Sequence, residues 1–194
     1  MSDTKEKIMK TALRLFAESG FSGTSMNNIS TELGITKGAL YKHYSGKQEI
    51  LDSIVERMEK NDYEGANQYG MPEGECVENT PLANICEYSI AQFRYWTEDE
   101  FASDFRKMLT LEQYRLPKFK KLYHDYLATG PLNYMADIFG KITGSDDEAM
   151  QVALQFYGPM FLLYSVYDGT DDKDKPLSLL KKHIEQFIRK FADN

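Results

Sequence analysis

The sequence predicts an all-α protein, with an N-terminal three-helix helix-turn-helix unit and a larger helical part behind it. Three observations carry this. Apolar residues recur at spacings of three and four along almost all of the 194 residues. Glycines, prolines and short capping residues stand where those runs begin and end. No run alternates apolar and polar residues as a half-buried strand does.

The first helix is expected over about 4–19. Ile8, Met9, Ala12, Leu13, Phe16 and Ala17 share one face, Asp3 caps the start, and Gly20 ends it as a left-handed residue. A short helix over about 26–33 follows, capped by Ser25 or Thr24 and stopped by Gly34. Thr36 then caps a third over about 37–43. Ser45-Gly46-Lys47-Gln48 reads as a capping box for a fourth helix, whose apolar face is Ile50, Leu51, Ile54, Val55 and Met58. Residues 65–80 hold three glycines, a proline and several acids, and read as a fraying helix end and a loop. Thr80 and Pro81 restart a helix as cap and first residue. Thr97-Glu98-Asp99-Glu100 reads as a second box and Ser145-Asp146-Asp147-Glu148 as a third. Between them, Pro117 opens a helix that Gly130-Pro131 interrupts. Pro176 begins the last helix. The expected organisation is a helix-turn-helix unit over 1–45, a connecting helix over 46–64, and a helical part over 65–194.

Net charge is −7, which argues against a simple cationic nucleic-acid binder. The distribution is uneven. Residues 1–60 carry nine bases and eight acids, whereas 61–194 carry 14 bases and 22 acids. Leu33 to Gln48 contains Lys37, Lys42, Lys47 and His43 and no acid. Such a local patch is what a polyanion meets, because screening limits distant charge to roughly 8 Å at physiological salt. Two cysteines, Cys76 and Cys86, exclude a disulfide scaffold, and free thiols are expected. The N-terminus runs straight into a charged helical pattern with no apolar signal core. The uncharged segment Val152 to Tyr167 contains Gln155, Gly158 and Pro159, a wet sequence for a bilayer span. A cytoplasmic protein that does not engage membranes is expected.

The helix-turn-helix centres on Gly34-Ile35-Thr36. Its second helix opens with Lys37, Gly38 and Ala39, so long side chains are sparse and the backbone can approach a groove. Tyr41, Lys42, His43 and Tyr44 follow within reach of phosphates. In this motif the second helix lies in the major groove with its N-terminal residues at base edges.

Gly20-Phe21-Ser22-Gly23-Thr24-Ser25-Met26-Asn27-Asn28-Ile29-Ser30, then Leu33-Gly34-Ile35-Thr36-Lys37-Gly38-Ala39-Leu40-Tyr41-Lys42-His43-Tyr44 and Lys47, resembles the DNA-binding signature of the TetR family of bacterial transcriptional regulators. The resemblance is dense over about 8–55. It departs at Tyr44, where the family usually has phenylalanine, and at Leu33, where alanine is common. It implies an all-α homodimer whose second part binds a small effector. Carried over by position, Thr24, Ser25, Thr36, Tyr41 and Lys47 would touch phosphates. Lys37, Gly38, Ala39 and Lys42 would lie along bases, His43 would meet the backbone, and Tyr44 would be partly core.

In the last helix Leu177, Leu180, Ile184, Phe187 and Phe191 recur at three and four, with Ile188 beside them. The preceding helix is apolar nearly all round and has to be covered on more than one side. A four-helix bundle formed with a second copy satisfies both. The aromatic supply marks Trp96, Phe101, Phe105, Met108, Tyr123, Tyr126, Tyr157, Phe161 and Tyr164 as candidates for an adaptable apolar ligand site. For any single one of them plain core is the better bet. A neutral or cationic aromatic effector is expected; a buried Arg94 or Arg106 would instead favour an anionic or fatty-acyl one.

His124-Asp125 and His183 have no companions at ligand spacing, so neither metal nor other cofactor is expected. No nucleophile motif, phosphate loop or paired carboxylates stand out, so an enzyme is not expected. The sequence therefore reads as a DNA-binding transcriptional regulator, a repressor released from an inverted-repeat operator by an effector. An activator or ligand-independent DNA binder of the same fold is the nearest alternative, and a helical enzyme or adaptor a distant one.

Overall fold

The computed structural model describes residues 3–72 and 80–192. Ten helices and no strand occur among them: α1 (Asp3–Ser19), α2 (Met26–Glu32), α3 (Lys37–Tyr41), α4 (Lys47–Gln68), α5 (Leu82–Glu98), α6 (Glu100–Glu112), α7 (Pro117–Leu127), α8 (Thr129–Thr143), α9 (Asp146–Gly169) and α10 (Asp174–Ala192). None of these helices is long and apolar enough to cross a membrane. Cys76 and residues 73–79 of the loop expected over 65–80 lie outside the described residues, and the start of that loop, through Gln68, continues α4. Cys86 is a free, half-buried thiol whose pKa is pushed up by burial.

The chain packs as two compact units. Residues 1–62 and 100–123 form one, and 63–99 with 124–194 form the other. Packing thus cuts the chain differently from the expected division, because α6 and most of α7 cluster with the N-terminal helices.

In the first unit α1 is the central element. Its face of Ile8, Met9, Ala12, Leu13 and Phe16 is buried, and α6 packs along it. Leu40 of α3, Ile29 of α2, and Ile50, Leu51, Ile54 and Met58 of α4 join the same core. Burying each such side chain contributes about 1.5–3 kcal/mol. Arg57 ties α4 to α1 through Glu6 at 2.5 Å and lies over the Phe101 ring of α6 at 4.3 Å.

In the second unit α9 packs against α8, α10 and α5. Phe93 stacks on Tyr164 with ring centroids 5.5 Å apart, and Phe187 sits against both Phe139 and Phe156. Leu180 and Ile184, expected in a dimer seam, are 1% and 4% exposed within their own chain. These two residues of the α10 stripe are covered by the chain's own core.

The sequence misplaced several boundaries. α5 keeps Thr97 inside it, because the buried hydroxyl donates back to the Phe93 carbonyl at 2.7 Å instead of capping α6. Pro81 is the N-cap of α5, not its first residue, and α10 starts two residues before Pro176. The α7–α8 break falls at Ala128, ahead of Gly130. Ser145 is the N-cap of α9 but its side chain makes no capping bond.

Two changes test this packing. Gly20 has φ +78°, and a Cβ there would stand 2.4 Å from Glu112 Oε1 and 2.8 Å from Arg115 Nη1. Gly34 has φ +65° but open space. Gly34→Ala is expected to cost about 1–2 kcal/mol, the left-handed penalty alone. Gly20→Ala is expected to cost more, and equal losses in urea titrations would contradict the close approach. Burial pushes the Asp62 carboxyl up to about 7, and its Oδ1 is buried without a hydrogen-bond partner. The folded pKa then exceeds the unfolded value of about 3.9, so this group's contribution is full below pH 4 and lost as pH rises through 7. Asp62→Asn is expected to raise Tm at pH 8 by several degrees and to leave it unchanged near pH 4. Parallel Tm shifts at both pH values would show that Asp62 is not the titrating group.

Candidate nucleic-acid interface

The helix-turn-helix is built from local hydrogen bonds that its residue types dictate. Ser25 is the N-cap of α2. Its Oγ accepts the Asn28 amide at 3.2 Å, while Asn28 Oδ1 accepts the Ser25 amide at 2.9 Å. α2 ends in a Schellman turn, with the Gly34 amide donating to Thr31 O and the Ile35 amide to Ser30 O, both at 3.0 Å. Thr36 then caps α3 by accepting the Ala39 amide at 3.1 Å. Leu40 and Tyr44 anchor α3 inward.

On the outer side Thr36, Lys37, Gly38, Tyr41 and Lys42 are exposed, Tyr41 at 51%. Ala39 and His43 are half-buried. The two acids that flank this segment are both engaged. Glu32 pairs with Arg14, and Glu49 accepts the Ser45 amide at 2.6 Å and hydroxyl at 2.8 Å. Those bonds hold the Glu49 carboxyl below its ordinary pKa. They also correct the expected box at residues 45–48, since the partner of Ser45 is Glu49 and not Gln48. The exposed face of α3 is therefore a short cationic surface with few long side chains near its N-terminus.

Three residues expected to reach DNA are turned to other work. Thr24 is 3% exposed, and its hydroxyl donates to Gly20 O at 2.9 Å and Leu15 O at 3.1 Å. Tyr44 is 1% exposed. Lys47 is half-buried, and its ammonium donates to Phe21 O at 2.6 Å and Thr24 O at 2.9 Å. Burial lowers the Lys47 pKa, and the charge of Glu112 opposes that shift. Glu112 was not foreseen. It sits 91 residues from Phe21, whose amide donates to its Oε1 at 3.0 Å, and no local spacing announces such a bond.

The ligand candidates are divided between the two units. Phe101, Phe105, Met108 and Tyr123 belong to the first unit and Trp96, Tyr126, Tyr157, Phe161 and Tyr164 to the second. Phe101, Phe105 and Met108 are buried, as are Trp96, Tyr157 and Tyr164. The Tyr157 hydroxyl donates to Leu127 O at 2.8 Å, and Trp96 meets Tyr126 edge to face. Phe161 is 40% exposed, so the surface of α9 and not an interior lining is where it stands. Among the dimer candidates Leu177, Phe187 and Ile188 are half-buried, and the Phe191 side chain lies outside the described residues.

Residues 8–54 match the family model of bacterial regulatory proteins, tetR family. The HTH-type transcriptional regulator AcrR of Shigella flexneri is 39% identical over 59 residues, which is 30% of this chain and 27% of that protein. The biofilm operon icaADBC HTH-type negative transcriptional regulator IcaR of Staphylococcus epidermidis is 44% identical over 52 residues, 27% of this chain and 28% of that one. The chain thus aligns with little more than a quarter of these relatives' length. Similarity of fold reaches further. A solved SmeT–triclosan complex superposes with a TM-score of 0.67 at 18% identity, covering 94% of this chain and 90% of the other. The capped helix-turn-helix thus lies in the segment that matches the tetR-family model, and the helices of the rest share the fold of such solved structures.

Proposed function

We propose that the protein is a sequence-specific DNA-binding transcriptional regulator, a homodimeric repressor released from an inverted-repeat operator by a small effector. The observation that carries this is the exposed face of α3. It is cationic, its flanking acids are engaged, and it opens with Lys37, Gly38 and Ala39. Lys37, Gly38, Ala39 and Lys42 read bases in this proposal. Thr36, Tyr41 and Ser25 hold phosphates, with His43 beside them. Phosphate contacts position such a helix and base contacts specify sequence. The repressor role draws support from the negative regulator among its relatives, and the effector from the neighbour solved with triclosan.

The dimer is proposed through α9 more than α10. Leu154, Phe161, Leu162 and Val166 are 37–64% exposed on α9, and Leu179 is 44% exposed on α10. A soluble chain that leaves so many large apolar groups together on one face has a partner for them.

The chemistry of the effector has two readings. Aromatic and methionine side chains favour an apolar aromatic compound. Arg106 is 5% exposed on α6 and favours one with an anionic group, whereas Arg94 is exposed and near Glu98. Thermal-shift screening with parallel DNA binding separates them: a saturating effector, at about 100 times its Kd, stabilises by about 2.7 kcal/mol and loosens the DNA complex. Stabilisers that never change DNA affinity would contradict the effector coupling.

Gly38→Ala gives a test with opposed signs. A Cβ at Gly38 meets nothing nearer than Thr36 Oγ1 at 4.0 Å, so the chain itself does not require glycine there. Alanine is expected to stabilise the helix by up to about 1 kcal/mol and to weaken DNA binding through its added bulk at the groove. A rise in Tm with unchanged affinity would show that DNA does not approach Gly38. For the dimer, Leu162→Glu is expected to yield a folded monomer in sedimentation velocity, and a folded variant that stays dimeric would move the interface elsewhere.

A further inference from the structure

The turn between α1 and α2 is gripped from two sides by opposite charges. Glu112, the last residue of α6, is fully buried. Its Oε1 accepts the Phe21 amide at 3.0 Å and Arg115 Nη1 at 3.1 Å, and its Oε2 is buried without a hydrogen-bond partner. On the other side the Lys47 ammonium takes the carbonyls of Phe21 and Thr24. A carboxylate thus holds an N–H, and an ammonium holds two C=O groups, of the same six-residue turn. Its ring is held too: Phe21 lies under Lys47 at 4.4 Å and Lys118 at 4.0 Å, and against Phe16 and Phe119. Gly20 leaves room for Glu112 to come this close.

The turn runs directly into Ser25, the N-cap of α2. Whatever fixes Phe21 to Thr24 fixes where α2 begins, and α2 with its Schellman turn carries α3. A buried carboxylate is expensive to desolvate, and leaving it in a unit with an ample apolar core calls for a reason beyond stability. Lys47 meanwhile has two carbonyl acceptors at short range and a desolvated amine, so its charge is committed inward.

We propose that Glu112 and Lys47 are positioning residues for DNA binding, a two-sided clamp on the Phe21–Thr24 turn that sets the placement of α2 and α3, and that Lys47 makes no phosphate contact. This rests on the DNA-binding reading above. It separates cleanly from the phosphate role that position in the motif suggests. A lysine on a phosphate releases counterions, so its loss lowers the salt slope of log K by about 0.9 and weakens all sequences alike. A positioning residue leaves slope and non-specific binding as they were and removes sequence-specific affinity.

The experiment uses the 194-residue chain and the duplex that wild type enriches from a random-sequence library. Calf-thymus DNA serves as the non-specific probe. Glu112→Gln keeps an acceptor and removes the charge, and Lys47→Gln is a half-buried change that tests the other side if the first variant does not fold. Each is expected to lower affinity for the enriched duplex about tenfold, with calf-thymus binding and salt slope unchanged. The double variant is expected to bind about as either single one, because the two act as a unit. Phe21 amide exchange, followed without DNA, is expected to quicken in Glu112→Gln. A slope reduced by about one in Lys47→Gln would place that lysine on a phosphate and overturn the proposal. Wild-type affinity in folded Glu112→Gln would overturn it as well. If wild type enriches no duplex, the DNA-binding reading falls and the positioning role with it. Unchanged Phe21 exchange would remove the clamp alone.

Discussion

A helix of five residues has no stability of its own, and α3 is such a helix. Nucleation fixes several dihedrals for a single hydrogen bond, so isolated helices shorter than about 12–15 residues are marginal in water. The rest of the first unit answers that deficit. Thr36 satisfies an orphan amide at the start of α3, and the Leu40 carbonyl receives both the His43 and Tyr44 amides at its end. Leu40 and Tyr44 sink into the core of α1 and α4. With both of these anchors pointing inward, the outer face is free to be chosen for something other than stability. That freedom is visible in Gly38, a poor helix former kept where the chain has room for a larger residue.

The seven-residue α2 faces the same deficit and meets it with charge as well as packing. Its capping box gives it a start, and the turn before it is tied to α4 by Lys47 and to α6 by Glu112. Backbone groups in a turn have no repeating ladder to satisfy them, so they take side chains as partners. Thr24 completes this by donating to Leu15 O and Gly20 O, closing the turn onto α1. A series of specific polar bonds thus reaches the start of α2 from α6, far away in sequence.

This explains what the sequence could and could not disclose. Gly34, Thr36 and Ser25 were legible because their roles are local: each acts on an amide or carbonyl within five residues, and spacing reveals it. The fold class was legible for the same reason, since helical periodicity is a short-range signal. Thr24, Tyr44 and Lys47 read as DNA contacts from their positions in the resembled motif, but their own partners are set by tertiary packing. Glu112 was silent, because one acid on a helix carrying other charges has no distinguishing pattern. Thr97 misled in the opposite sense. Threonine before acidic residues matches a capping box, yet burial against Phe93 gave its hydroxyl a carbonyl inside α5.

The same limit governs the apolar stripes. Spacings of three and four along α10 state that one face is covered, and they do not say by what. Leu180 and Ile184 are covered at home, with Phe187 packed on Phe139 and Phe156. α9 offers another clue, because apolar residues run nearly all the way round it and only a few polar ones, such as Gln151 and Gln155, are exposed. Its neighbours α5, α8 and α10 cover part of its circumference. Leu154, Phe161, Leu162 and Val166 fall on what remains. For a helix that is apolar all round, the surface its own chain leaves bare is the part most informative about a partner, and here that part lies on α9 while the regular heptad lies on α10. Regularity points to α10, whose Leu180 and Ile184 are buried at home, whereas exposure points to the α9 residues that the described chain leaves bare.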